Sequence, residues 1–358
     1  MTRHSRLTIL CGICFCISAC AGKPLMPFPN ESAPLALLPA GQQAVIDKRG
    51  RFREIACAVL ETHGKDQPHY RDCDDALVRI GDEPEGTGEP VDLNPSKRHL
   101  KIGFVPGIGW DCLGNWIDEQ DRFANDLGPF GYSSFTLKID GLSGTNNNAK
   151  QIRDSIMERV DEIEPASIVL IAHSKGAPDA LTAIVSYPEI RQYIAAVVSL
   201  AGAIGGSPLA YDVSHGEVRL LRRLLNSGCK EGDGLAIESL KPEVRQAWLL
   251  DNRLPGEINY YSLVAYPLPG QVSSVFKFSY NKLSRIDPRN DSKLMFYDQV
   301  IPGSTLLGYL NADHMAVVAP LSEKHEFIGD AAVNRNDFPR QAIAEAVMRF
   351  VEEDLSKK

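Results

Sequence analysis

The residue best placed for nucleophilic chemistry is Ser174, which lies between an apolar run and a helical pattern. The run Ile168–Ala172 has the length and composition of a buried strand, and residues 172–176 read AHSKG. A serine between small residues in this position is typical of a nucleophile elbow, a tight strand-to-helix turn that exposes the hydroxyl above a sheet. A serine that only caps a helix does not need Ala172 and Gly176 as small neighbours, so the pattern favours a nucleophile.

The elements that must position this serine alternate between strand and helix. Apolar strand patterns are predicted over 99–105, 132–139, 167–172, 193–200, 258–265, 294–297 and 305–310. Helical patterns are predicted over 116–127, 146–163, 177–186 and 339–353. This order predicts an α/β fold with a mostly parallel central sheet flanked by helices.

The alternation is interrupted twice. Residues 207–256 contain helical patterns at 218–225 and 242–250, and residues 267–292 are also without a strand pattern. We expect both to be lid-like insertions over the carboxyl edge of the sheet, where ligands of parallel α/β sheets bind.

With the elbow and the order of elements established, the chain resembles an α/β-hydrolase of the bacterial lipase and esterase type. The resemblance covers about residues 99–355 of a domain expected to span 98–358. AHSKG differs from the family's GxSxG at its first small residue. Residues 198–210 also resemble the strand and turn that follow the elbow in such lipases. Ser207 in that turn is a second serine, predicted to shape the loop.

The resemblance implies a catalytic triad of Ser174, Asp298 and His314, in the family's order of serine, acid and histidine. Asp298 lies in YDQVIP, which resembles the D-G-x-V-P turn that carries the family's acid, with glutamine in place of glycine. His314 ends NADH after the last predicted strand, where the family's histidine lies. The alternatives are Asp287, Asp291 and Asp313 for the acid and His325 for the histidine.

Backbone N–H groups of Lys175 and Ile108 are the expected oxyanion donors. Lys175 follows the nucleophile, and residues 104–110, FVPGIGW, resemble the family's H-G-x-G loop with Pro106 in place of histidine. The same glycines do not form a dinucleotide fingerprint, because the next one, Gly114, has the wrong spacing and no helix starts promptly. No cofactor is expected.

These implied roles predict hydrolysis of a small-molecule acyl ester or lipid through an acyl-enzyme. The same residues could cleave an amide or thioester, or transfer the acyl group to another acceptor. The alternative class is a non-catalytic, hydrolase-like envelope protein that acts as a scaffold or binding module. The sequence does not predict the oligomeric state.

Composition limits the partners. The chain has 358 residues, 44% of them hydrophobic, so it can bury a large core. Its formal net charge is −8, which disfavours a nucleic-acid partner.

Residues 1–19 are predicted to be an export signal. Arg3 and Arg6 precede an almost uncharged run that is too short to cross a bilayer. Residues 17–20, ISAC, resemble the bacterial lipobox, which implies cleavage before Cys20 and a lipid anchor on it. An ordinary signal peptide cleaved nearby is the alternative.

Residues 20–40 contain five prolines and are predicted to tether the anchor to the folded chain. The residue after Cys20 is alanine and not aspartate, and in this the chain resembles lipoproteins sent to the outer membrane. The expected location is therefore the cell envelope of a Gram-negative bacterium, at the outer membrane or in the periplasm.

Four cysteines follow Cys20 in the chain: Cys57, Cys73, Cys112 and Cys229. Their even number is what complete pairing into disulfides in an oxidising compartment requires. Cys57–Cys73 is the favoured pair because glycine and proline let the segment between them fold back, which leaves Cys112–Cys229. The other two pairings remain open. His63 and His69 lie between the first two cysteines, but the spacing fits no zinc pattern and no metal is expected. Residues 41–97 are predicted to form a helical appendage, with helices over 42–61 and 74–80.

Overall fold

The computed structural model describes residues 45–67, 69–111, 125–212, 230, 232–319 and 337–357. All of them belong to one compact unit. The predicted signal, the lipidation site Cys20, the tether and the pair Cys112–Cys229 lie outside the described residues. So do the helix predicted over 218–225 and most of the one predicted over 116–127.

An eight-stranded sheet runs through the described chain. Its strands are β1 (Ile46–Asp47), β2 (Leu77–Val78), β3 (Lys101–Val105), β4 (Ser133–Thr136), β5 (Ile168–His173), β6 (Ile194–Leu200), β7 (Asn259–Ala265) and β8 (Thr305–Leu310). The order is β1-β8-β7-β6-β5-β3-β4, with neighbours parallel throughout, and β2 pairs antiparallel with β8. The predicted α/β fold with a mostly parallel sheet is confirmed.

Helices cover both faces of the sheet. They are α1 (Arg49–Thr62), α2 (Cys73–Ala76), α3 (Thr145–Met157), α4 (Gly176–Ser186), α5 (Pro242–Asp251), α6 (Lys277–Leu283) and α7 (Arg340–Ser356). Side chains alternate along β5, so that Val169 and Ile171 join the apolar cluster of α1 and α7, while Leu170 joins that of α3 and α4. Burial on both faces explains why the central strands read as continuous apolar runs.

Residues 45–97 complete the edge of the sheet as well as adding helices. β1 and β2 both pair with β8, and α1 packs against α7. The helix expected over 74–80 ends at Ala76, because Leu77 and Val78 pair with β8 instead. Arg51 on α1 forms an ion pair of 2.6 Å with Glu353 on α7.

The predicted disulfide Cys57–Cys73 is confirmed and joins α1 to α2. The Cα atoms of the two cysteines are 5.0 Å apart, within the usual range for a disulfide.

The strand predicted over 294–297 is wrong. This segment forms a single bridge between Asn290 and Met295, and a 3₁₀ segment follows at Phe296–Gln299. Leu294 and Met295 are buried without a strand ladder, so their apolar character reflects burial in a turn. The described parts of 207–256 and 267–292 contain α5, α6 and short 3₁₀ segments, and no named strand. No helix among the described residues is both long and apolar enough to cross a membrane.

Candidate active site

Ser174 occupies a strained turn between β5 and α4. Its φ of 54° lies in the left-handed region, which residues other than glycine rarely adopt. The turn is held by its neighbours: the Ser174 N–H donates to the Leu200 carbonyl over 3.3 Å, and the Ala203 N–H donates to the Ser174 carbonyl over 2.9 Å. The end of β6 and the loop that follows it therefore fix the backbone conformation that presents the hydroxyl.

The small residues around Ser174 are required by close backbone approach. A Cβ at Gly176 would lie 2.4 Å from the carbonyl oxygen of Val105. A Cβ at Gly107 would lie 2.8 Å from the Cβ of Ser174. The loop after β3 thus passes directly against the serine, which brings the residues expected to bind an oxyanion to its side.

A line of hydrogen bonds joins Ser174, His314 and Asp291. Nε2 of His314 is 2.8 Å from Oγ of Ser174, and Nδ1 is 2.7 Å from Oδ2 of Asp291. The carboxylate accepts from Nδ1–H, so Nε2 is left to accept the serine hydroxyl proton. Ser174 is 5% exposed, His314 4% and Asp291 0%, and the line is shielded from bulk water.

Asp291 is fixed by the turn that contains it. Its Oδ1 accepts the N–H of Lys293 over 2.8 Å and that of Leu294 over 2.7 Å. Its carbonyl accepts the N–H of His314 over 2.9 Å. Oδ2 therefore has a set direction toward the imidazole.

The predicted acid Asp298 is not the residue that His314 contacts. It lies in the 3₁₀ segment beside the loop after β6, where a Cβ at Gly205 would be 2.2 Å from its Oδ1. Burial raises the pKa of the Asp298 carboxyl to about 7. The prediction followed the similarity to the D-G-x-V-P turn. The partner was Asp291, one of the named alternatives, in a stretch (PRNDS) whose residue types favour turns.

Asp313, another alternative, stabilises the histidine loop. Its Oδ2 accepts the N–H of Ser273 over 2.8 Å and the hydroxyl over 2.5 Å, and its Oδ1 accepts the N–H groups of Met315 and Ala316. The second insertion is thereby bonded to the loop that carries His314.

His173 also supports His314, which sequence reasoning missed. Its Nε2 is 2.9 Å from the His314 carbonyl, and the two rings lie 4.9 Å apart. Burial, and then the charge of His314, lower the pKa of His173 well below its ordinary value, so the ring is neutral and Nε2–H donates. Its position directly before the elbow serine was the available signal.

The two expected oxyanion donors belong to segments that adjoin the serine. Lys175 leads into α4, and Ile108 is in the loop after β3, next to Gly107. Neither N–H donates to a backbone carbonyl among the described residues. Ile108 packs against a small apolar cluster over this edge of the sheet: Ala203, Ala210, Leu240 and Leu294, with Ile237. The described residues contain no group of three His, Cys, Asp or Glu side chains arranged to hold a metal ion.

Comparison with known proteins gives a match among solved structures. No protein-family model and no curated protein sequence matches the chain. The crystal structure of the metagenomic carboxyl esterase MGS0156 is 38% identical in sequence, with a TM-score of 0.81, and the match covers 90% of this chain and 97% of that one. The mature lipase BlEst2 of Bacillus licheniformis is 19% identical, with a TM-score of 0.53 and coverage of 74% and 96%, a likeness of fold alone.

The parallel sheet, the strained serine turn and the match to MGS0156 over nearly the whole of both chains all indicate the same family. The chain belongs to the carboxyl esterases of the α/β-hydrolase fold and is a carboxylic ester hydrolase.

Proposed function

We propose that the protein cleaves carboxylic esters through a covalent acyl-enzyme on Ser174, with His314 as general base and Asp291 as the acid that orients it. The observation that carries this proposal is the hydrogen-bonded line with distances of 2.8 Å and 2.7 Å on the two sides of the imidazole. A serine hydroxyl alone is a weak nucleophile, and this arrangement supplies the base that activates it.

In the first half-reaction, Ser174 Oγ attacks the ester carbonyl as its proton passes to Nε2 of His314. The Asp291 carboxylate stabilises the imidazolium, which then gives the proton to the departing alcohol oxygen. In the second half, water loses a proton to His314 and attacks the acyl carbon, and Ser174 leaves with its proton restored.

The negative charge on the carbonyl oxygen needs donors in both halves. We propose the backbone N–H groups of Lys175, which follows Ser174, and of Ile108, which follows Gly107. Neither N–H has a backbone acceptor in the described chain. Each such donor contributes about 3 kcal/mol to the transition state in comparable sites.

The proposed substrate is an acyl ester or lipid. An apolar cluster formed by Ile108, Ala203, Leu240 and their neighbours covers this edge of the sheet and could contact an acyl group. MGS0156, to which the chain is similar, is named as a carboxyl esterase. We also propose that the enzyme works at the cell envelope through a lipid on Cys20. This rests on the sequence of residues 1–40, outside the described residues.

Replacing Ser174 by alanine removes the nucleophile. We expect kcat for p-nitrophenyl acetate, butyrate and octanoate to fall by at least about 10⁴-fold, because the remaining groups cannot form the acyl-enzyme. The matched control is Ser207→Ala, another post-strand serine, whose hydroxyl donates to the Lys293 carbonyl over 2.6 Å. It should retain most of the activity. Turnover that survives Ser174→Ala would exclude the proposed nucleophile.

The two aspartates of the acid region give opposite expectations. Asp291→Asn keeps the shape of the side chain but removes the charge that stabilises the imidazolium, and kcat should fall by about 10⁴-fold. Asp298→Asn should leave kcat at the same order of magnitude, because Asp298 has no contact with His314 in the structure. The reverse pattern in steady-state kinetics would restore Asp298 as the acid.

Asp298 should also make stability depend on pH. Its carboxyl keeps its proton in the folded state up to about pH 7, whereas in the unfolded state it ionises near 3.8. Below pH 4 the buried carboxyl is neutral in both states, so it does not make stability depend on pH. Stability then falls as the pH rises from about 4 to about 7, where ionisation is disfavoured only in the folded state, and does not fall further above that. We therefore compare the Tm of Asp298→Asn with that of the native chain at two pH values. The difference, variant minus native, should be more positive at pH 8.5 than at pH 4.5 by roughly 3 °C. Equal differences at the two pH values would contradict this burial effect.

A further inference from the structure

Lys175 has a side chain that the proposed mechanism does not use, buried directly after the nucleophile. Its Nζ lies 2.8 Å from each carboxylate oxygen of Asp179, one turn further along α4. Both side chains are 1% exposed. Asn148 on α3 donates to Asp179 Oδ2 over 2.8 Å, which connects the pair to the neighbouring helix.

The surroundings of this pair contain a second buried cation. Arg245 on α5 is 1% exposed, and its guanidinium stacks on the Trp248 ring at 4.8 Å. Its Nε donates to the Ile204 carbonyl over 3.3 Å. Burial lowers the pKa of both Lys175 and Arg245, and the charge of Asp179 opposes this shift in each.

Such a network is a poor source of stability. A buried ion pair loses the hydration of both charges, and apolar residues of similar size often stabilise a fold equally well. This network is also incompletely satisfied, since Asn148 Oδ1 and Arg245 Nη2 are buried and have no hydrogen-bond partner among the residues that the structure describes. A role in stability alone therefore does not explain it.

Its position suggests a mechanical role. A single peptide bond joins Lys175 to the strained Ser174, whose φ is 54°. The first turn of α4 is tied to Lys175 through Asp179, so the ion pair restricts rotation of the residue whose N–H is the proposed oxyanion donor. A strained backbone persists only where its surroundings define it fully.

We propose that the Lys175–Asp179 ion pair is a positioning device that aims the Lys175 N–H at the oxyanion. Asp179 and the Lys175 ammonium act through that backbone group and do not touch the substrate. The inference rests on the proposed role of Ser174 and adds two positioning side chains to it.

The test replaces both charged side chains of the pair by apolar ones, in the double variant Lys175→Met/Asp179→Leu. The matched control removes another buried (i, i+4) ion pair, in Glu345→Leu/Arg349→Met, whose 2.7 Å contact lies on α7. We measure Tm, the kcat and KM for p-nitrophenyl butyrate, and the Ki for butylboronic acid. Titration with a fluorophosphonate gives the concentration of active sites from which kcat is calculated. The boronic acid forms a tetrahedral adduct with the serine and so reports on the oxyanion donors.

We expect the Lys175/Asp179 variant to lose about 10- to 100-fold in kcat with KM changed by less than about 3-fold, because a misaimed donor affects the transition state. Ki should rise by the same factor as kcat falls. The control should change Tm while kcat and Ki stay near those of the native chain. If the double variant does not fold, Lys175→Met/Asp179→Asn, which leaves no unpaired charge and keeps an acceptor for Asn148, should show a loss of the same type.

A folded Lys175/Asp179 variant with native kcat and Ki would overturn the inference, as would a fall in kcat without a matching rise in Ki. Failure of the proposed function is distinguishable from both, since native enzyme would then lack a boronic acid adduct at Ser174.

Discussion

The imidazole of His314 depends on a hydrogen bond at each nitrogen, and much of the structure serves to hold its two partners. Ser174 comes from the turn after β5, Asp291 from the end of the second insertion and His314 from the loop after β8. A parallel sheet brings the carboxyl ends of its strands to one edge, which places these distant segments together. The hydrogen bonds from Ser273 to Asp313 and from His173 to the His314 carbonyl then fix the histidine loop.

The serine turn shows the cost of this arrangement. Ser174 has a positive φ, the loop after β3 passes so close that Gly107 has no room for a Cβ, and charged side chains are buried beside it. Each feature is unfavourable alone. They lie at the edge of a sheet whose two apolar faces are covered by α1 and α7 on one side and by α3 and α4 on the other. A strained backbone at a buried turn of this kind is typical of a functional site.

What the sequence could predict follows from the range of the interactions. β8 was predicted at its observed bounds, and Ser174 stands where its motif placed it, because a buried strand and a tight turn depend on neighbouring residues. The acid could not be chosen in this way. Asp291 and Asp298 both lie in turns before β8, and only the contact across 23 residues to His314 distinguishes them. β2 was missed for a similar reason, since its two residues are a strand only by pairing with β8. The ion pair of Lys175 depends on burial, which its charged residue types do not suggest.

The central claim is that Ser174 is the residue activated for attack on the substrate. It is tested most directly by treating the native chain with a fluorophosphonate and identifying the modified peptide by mass spectrometry. The account predicts one phosphonyl group, on Ser174, and a strongly reduced rate of labelling in Asp291→Asn. Labelling of Ser207 or another serine, with Ser174 unmodified and esterase activity abolished, would contradict it.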